Sequence, residues 1–319
     1  MKKLLIATTA LVGTASVVAA DNANINFGGY GRFGILYEED RANGAEEETR
    51  IESRFRLNID ASTETDGGVR FAARVRVEAN ENADNSANAA SFSGPRFQVS
   101  SGGLRVRVGN ISGVTDAANV VDYFGHEPGL VGQTGQYANS GVSLPAFSST
   151  GAGNNGINVL YEMGDFKVMA SYTDDHSDND GADADTVAFG DSFEIGASYT
   201  FSAWTLGAVY GEFEEARSDL SEDWIVATLS GTIGTADVSF LISDFEGDDD
   251  PVFGASASFP VGAATNILAS VSDGGDDAND TSYGLGFRHS LGGGVRLDGM
   301  VGSNKDGNTI ADLGVRFDF

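Results

Sequence analysis

The chain has 319 residues, with 19 lysines and arginines against 47 aspartates and glutamates, a net charge of −28, and no cysteine. So acidic a surface lacks the basic patches that displace counterions from phosphates, which excludes nucleic acid as a partner and argues against docking on anionic lipid. The missing cysteines rule out a disulfide framework, and beyond the first 20 residues no stretch approaches the roughly 18 consecutive apolar residues of a membrane helix.

Residues 1–20 have the form of a secretory signal. Lys2 and Lys3 supply the charged start, residues 4–18 the apolar stretch, and Ala19-Ala20 the small residues before a cut. Cleavage there makes Asp21 the first mature residue, removes Lys2 and Lys3, and takes the net charge from −28 to −30. Residues 21–319 then read as one domain.

From its start this domain alternates. Ile25, Phe27, Phe33, Ile35 and Tyr37 lie on one face of a first strand, and Ile51, Phe55, Leu57 and Ile59 on one face of a second. Between Val69 and Ala79 the pattern is unbroken, with Val69, Phe71, Ala73, Val75, Val77 and Ala79 apolar and Arg70, Arg74, Arg76 and Glu78 between them. Leu104, Val106 and Val108 continue it, then Ile157, Val159 and Tyr161, then Phe166, Val168, Ala170 and Tyr172. Phe193, Ile195, Ala197 and Tyr199 follow, with Trp204, Leu206, Ala208 and Tyr210, then Ala236, Val238, Phe240 and Ile242. The chain closes on Leu313, Val315, Phe317 and Phe319. Weaker candidates near 92–100, 223–231, 252–259, 265–272, 282–289 and 294–302 bring the count to sixteen.

Connection lengths sort by parity. Short glycine-rich links such as Thr65-Asp66-Gly67-Gly68, Ser101-Gly102-Gly103, Gly164-Asp165 and Gly292-Gly293-Gly294 alternate with longer acidic ones at 38–49, 174–191, 244–250 and 273–280. A 16-stranded antiparallel transmembrane up-and-down β-barrel has this rhythm, short turns at the periplasmic end and long loops outside. Closure also leaves no unpaired backbone edge in hydrocarbon. Phe27, Phe201, Trp204, Phe259 and Phe319 fall near one predicted rim, and Tyr37, Tyr172, Tyr210 and Trp224 near the other, as interface girdles would. Ordinary strand preference for aromatic residues is the alternative.

Basic residues crowd one end of the sequence. Ten of the 17 left after signal removal lie on the first five strands: Arg32, Arg50, Arg54, Arg56, Arg70, Arg74, Arg76, Arg96, Arg105 and Arg107. Between Val108 and Phe287 only Lys167 and Arg217 occur. Alternation turns all ten away from lipid, and a packed interior would not tolerate so many like charges, so the lumen reads as wet. Pairing with Glu52, Asp60 and Glu78 in a structural network is the plainer reading of any one of them.

The segment 110–155 is the longest link, yet its only acidic residues are Asp116, Asp122 and Glu127. It carries Val120, Val121, Tyr123, Phe124, Leu130, Val131, Leu144 and Phe147, too many apolar groups for an open-solvent loop. The pattern predicts a third long loop folded into the lumen, with a short helix near 115–123, presenting its acids to the arginines as a constriction. Acid opposite base across narrow water orients polar solutes and slows apolar ones.

Tyr283-Gly284-Leu285-Gly286, Leu291-Gly292-Gly293-Gly294 and the ending Ile310-Ala311-Asp312-Leu313-Gly314-Val315-Arg316-Phe317-Asp318-Phe319 carry a resemblance. Arg32-Phe33-Gly34, Ser53-Arg54, Val159-Leu160-Tyr161 and Asp122-Tyr123-Phe124-Gly125 add to it. With these segments the mature chain resembles the trimeric general diffusion porins of the Rhodobacter type. The resemblance implies a sixteen-stranded barrel, a homotrimer in outer-membrane lipid and lipopolysaccharide, and passage of ions and small hydrophilic solutes. It implies an eyelet of Arg32, Arg54, Arg56, Arg74 and Arg76 facing Asp116 and Asp122. Glu127, within His126-Glu127-Pro128-Gly129, sits where the similarity to that family lapses.

Other signals carry less chemistry. The acidic run holding Asp174, Asp175, Asp178 and Asp180 fails the EF-hand ligand pattern, because with Gly181 sixth the first ligand would be His176 and the twelfth Val187. Weak Ca²⁺ binding there, at external loops, is the expectation to set against a simply solvated acidic rim, and no other cofactor is implied. None of the three histidines sits in a nucleophile or metal-ligand spacing, so no enzymatic activity is expected. General diffusion with weak cation preference leads; a substrate-selective anion or carboxylate porin is the alternative, and a structural or adhesin barrel ranks below both.

Overall fold

The computed structural model describes residues 23–44, 46–80, 89–132, 138–139, 144–153, 155–174, 191–213 and 222–319. The expected signal at 1–20, and Asp175, Asp178 and Asp180 of the expected Ca²⁺ site, lie outside the described residues. Alternation organises nearly everything else into strands. β1 (Asn24–Glu38), β2 (Thr49–Glu64) and β3 (Arg70–Asn80) lead into β4, which is built of two pieces, Ser91–Phe92 and Arg96–Ser101. Then come β5 (Leu104–Asn110), β6 (Asn155–Met163), β7 (Phe166–Asp174), β8 (Ser192–Phe201) and β9 (Trp204–Phe213). β10 (Glu222–Ile233), β11 (Ala236–Phe245), β12 (Asp250–Pro260) and β13 (Thr265–Gly275) continue the sheet. β14 (Ser282–Gly292), β15 (Val295–Ser303) and β16 (Thr309–Asp318) complete it.

Each strand is antiparallel to its sequence neighbours, and β16 pairs with β1 from Tyr30↔Asp318 to Glu38↔Ile310. The result is the expected closed barrel of 16 strands. Phe319 seals the seam: its amide donates to the Gly29 carbonyl at 3.0 Å and its carbonyl accepts from the Gly29 amide at 2.8 Å. No helix among the described residues is long and apolar enough to cross a membrane; the strands do so.

The break in β4 has a local cause. Pro95 has no amide to give to the ladder, so β3 pairs with Phe92 before the break and with Arg96 after it. The Ser93 amide still reaches the Arg76 carbonyl at 2.9 Å, while Ser93 pairs in parallel with Gly151 of the long loop. The interruption is thus where the loop's returning limb joins the wall.

Side chains sort as alternation requires. Phe33 is 55 % exposed and Ile51 62 %, whereas Arg32 between the same strands is 8 % exposed. One girdle residue departs from the pattern. Trp224 sits at the long-loop end of β10 but faces inward, 1 % exposed between Phe213 and Phe245. Alternation accounts for this, since the lipid-facing set of β10 begins at Ile225.

The interior is not uniformly wet. Leu160, Met169, Val209, Val226, Leu241 and Val252, all inward-facing on β6–β12, pack with Val114, Val120, Val121 and Tyr123 of the long loop. This dry sector was not visible in the alternating pattern. It shows instead where alternation fails, at Val159-Leu160-Tyr161 and Val168-Met169-Ala170, where both faces are apolar.

Candidate functional site

Two surfaces face each other across the lumen. The first is the arginine wall of β1–β5. Cross-strand register sets each guanidinium beside a polar partner on the next strand: Arg56 opposite Glu78, Arg74 opposite Asp60, Arg76 opposite Asn58. Arg32 bonds to Glu52 and Arg56 to Glu78, with the Arg54 guanidinium 3.8 Å from the same Glu78 carboxylate. Arg74 makes a two-pronged contact to Asp60 at 2.6 and 2.9 Å. Arg76 donates to the Asn58 side-chain oxygen at 2.9 Å and to the Ser149 hydroxyl at 3.3 Å.

Closure extends this wall beyond the strands on which the sequence concentrates it. Arg296, Arg316, Arg32 and Arg54 lie in one row across β15, β16, β1 and β2. Tyr30 stacks between Arg316 of this row and Arg56 of β2, 3.9 Å and 5.2 Å from its ring centre. Arg288, Arg296 and Arg316 are not among the basic residues that the sequence crowds onto the first five strands. Their neighbourhood to Arg32 follows only from pairing the last strand with the first.

The second surface is the long loop, which lies along the inner faces of the strands beyond the arginine wall. A succession of wall side chains holds its backbone. Glu194 of β8 accepts from the Thr115 amide and hydroxyl, both at 2.7 Å. Thr228 of β10 accepts from the Asp122 amide at 3.0 Å, and Ser256 of β12 from the His126 amide at 2.9 Å. Asp312 of β16 accepts from the Leu130 amide at 2.8 Å, and Ser272 of β13 from the Asn139 amide at 2.8 Å. Each of these donors would otherwise be orphaned away from secondary structure. Residues 115–123 form turns rather than the expected helix, with Ala118 at φ 49°. One such turn forms, the Ala117 amide donating to the Gly113 carbonyl at 3.0 Å and that of Ala118 to the Thr115 carbonyl at 3.3 Å, but the Thr115 and Asp122 amides go to wall side chains and no longer ladder builds up.

Inward glycines let the loop approach closely. A Cβ at Gly207 would overlap the Val120 carbonyl, and one at Gly314 would overlap the Leu130 side chain. Glycine inside a strand marks such an approach, and this is the signal that could have traced the loop's path from the sequence.

The three loop acids are placed differently. Asp116 lies half-buried beside Ser112 and Phe147; burial raises its pKa, and those groups with Arg76 partly offset the shift. Asp122 is fixed through its amide, and among the described residues no ion pair joins it to an arginine. Glu127 follows His126, further along the same limb, near Gly132. The returning limb meets the arginines directly, with the Phe147 ring 4.4 Å from the Arg76 guanidinium and 5.2 Å from that of Arg96. Of the expected Ca²⁺ ligands only Asp174 is described, at the end of β7 opposite Asn155.

A closed barrel, polar along one inner wall and narrowed by an inserted loop, can pass water and small solutes while keeping lipid outside. A family profile described as Gram-negative porin matches residues 7–309. The chain belongs to the Gram-negative porin family. A porin of Fuscovulum blasticum is 32 % identical over 308 residues, covering 92 % of this chain and all of that one. Among solved structures, a mutant of the Rh. blastica porin with two basic residues changed to alanine superposes with a TM-score of 0.78 at 30 % identity. Another, with two acidic residues changed to alanine, gives 0.76 at 29 % identity. Each comparison covers 93 % of this chain and all of the other. As an outer-membrane porin, the chain has its short turns on the periplasmic side and its long loops outside.

Proposed function

We propose that this porin is a general diffusion pore whose narrowest passage runs between the arginine wall and the inserted loop. Arg32, Arg54, Arg56, Arg74 and Arg76 form one side of that eyelet, and Asp116, Asp122 and Glu127 the other. The observation that carries this reading is the asymmetry of the interior: one wall is charged and met by the loop only at its returning limb, the other apolar and sealed by the loop. A field between the two sides orients dipolar solutes and disfavours apolar ones, whose entry strips ordered water. Weak cation preference follows from the surplus of acid at the loops and mouth; the arginine wall opposes it.

The barrel functions as a homotrimer, exported by its signal sequence, and takes no cofactor. Family membership and the aromatic closing strand support this reading. Purified protein in a planar bilayer should give ohmic current steps in groups of three. A folded preparation without such steps would contradict the pore.

A further inference from the structure

We propose that Arg70, Arg96 and Arg107 form a binding site for small dianionic oxyanions, such as dicarboxylates and phosphate, between the eyelet and the periplasmic mouth. The proposal rests on the pore reading and adds a ligand class and a place. A cavity of about 420 Å³ opens on the lower part of the arginine wall. Four guanidiniums line it, those of Arg70, Arg74, Arg96 and Arg107, against one carboxylate, Asp60. That carboxylate is committed, since both its oxygens bond to Arg74.

The other three arginines make no ion pair among the described residues, although Glu64 sits opposite Arg70 across the ladder. Arg70 donates to the Ser62 hydroxyl at 3.2 Å, and Arg107 to the Gln98 side-chain oxygen at 3.0 Å. Arg96 lies 5.2 Å from the centre of the Phe147 ring and directly opposite Arg74 across the ladder. Five N–H donors per guanidinium leave most of this set unused. Like charges held together on a wall repel, and a mobile dianion with two separated acceptor groups relieves that repulsion while matching the forked donors.

Four of the five eyelet arginines differ in this respect, Arg76 being the exception with its neutral partners Asn58 and Ser149. Arg32, Arg54 and Arg56 already face Glu52 and Glu78, so a passing anion finds its place there taken. Below the loop the one lining carboxylate, Asp60, is taken up by Arg74, and among the described residues the remaining guanidiniums have no ion pair of their own. The volume suits a four-carbon dicarboxylate or a phosphate with part of its hydration.

The test is block of the potassium chloride current through the whole pore by succinate or inorganic phosphate, with acetate and glucose as single-charge and neutral references. Succinate and phosphate should reduce the current saturably, at concentrations at least about tenfold below any effect of acetate. Arg96→Gln with Arg107→Gln should raise the half-blocking concentration at least about tenfold. Lys305→Gln, which removes one charge at the outer end, should leave it unchanged. Equal effects of succinate and acetate on the unaltered protein would overturn the site, whether or not the variant folds. So would a double variant that conducts and is blocked as before. Absence of ohmic steps in the unaltered protein would instead overturn the pore reading itself.

Discussion

The carboxylate of Glu194 on β8 accepts two hydrogen bonds from a single loop residue, Thr115, whose hydroxyl in turn accepts from the indole N–H of Trp224 at 3.2 Å. Wall, loop and dry cluster meet at this point, which anchors the start of the constriction. Glu194→Ala leaves the Thr115 amide and hydroxyl without their acceptor in a buried site. That should cost about 1–3 kcal/mol. A lower thermal midpoint in detergent and a noisier open-channel current are the expected outcomes.

Trp224 and Trp204 should behave differently on truncation. Trp224→Ala opens a cavity behind the loop and should destabilise the barrel by about 3–5 kcal/mol. Trp204, at the periplasmic end of β9, is only half-buried, and its loss should cost clearly less. Thermal melts of the two variants in the same detergent check the ordering.

Gly207→Ala should displace the loop rather than the strand. The added methyl meets the Val120 backbone, which cannot rotate away as a side chain would. The loop then moves toward the arginine wall, and single-channel conductance should fall while the ohmic step pattern persists.

Strand number, closure and the lipid face were legible because lipid on one side enforces strict alternation, as at Phe33, Ile35, Ile51 and Phe55. The arginine wall was legible for the same reason. The loop's insertion showed in its apolar content, but its route did not. That route depends on inward glycines and serines, Gly207 and Ser256 among them; the glycines mark close approach inside a strand, but the serines look like ordinary small strand residues. Trp224 was placed in a girdle because tryptophan at a strand end suits an interface, and only the register of β10 turns it inward. The break at Pro95 was hidden inside a segment that otherwise alternates.

Selectivity should respond to pH through Asp116. Burial raises its carboxyl above aspartate's ordinary 3.8, so it takes up a proton earlier in an acid titration than a free aspartate. A carboxyl whose folded value exceeds its unfolded one favours the folded loop most when protonated, and that contribution fades as pH rises through the folded value. Cation preference, read as reversal potential in a salt gradient, should therefore begin to decline earlier on acidification than a free aspartate would dictate. Asp116→Asn should remove that part of the decline and leave the loop no less stable at neutral pH.

The arginine wall should set the opposing anion pull. Replacing Arg54, Arg56, Arg74 and Arg76 with alanine should shift the reversal potential toward stronger cation preference. The glutamate and aspartate partners left unpaired add to the shift. An unchanged potential would mean the wall does not govern selectivity.

A chain without cysteine permits the most direct test, because each introduced thiol is the only one present. Arg56→Cys, Val226→Cys and Phe33→Cys place a thiol on the charged wall, behind the loop and against lipid. A charged, membrane-impermeant thiol reagent should modify the first quickly and change the pore current, and should leave the other two unreacted. Comparable reaction at Val226 or Phe33, or none at Arg56, would contradict a barrel that is wet on one inner wall, dry on the other and greasy outside.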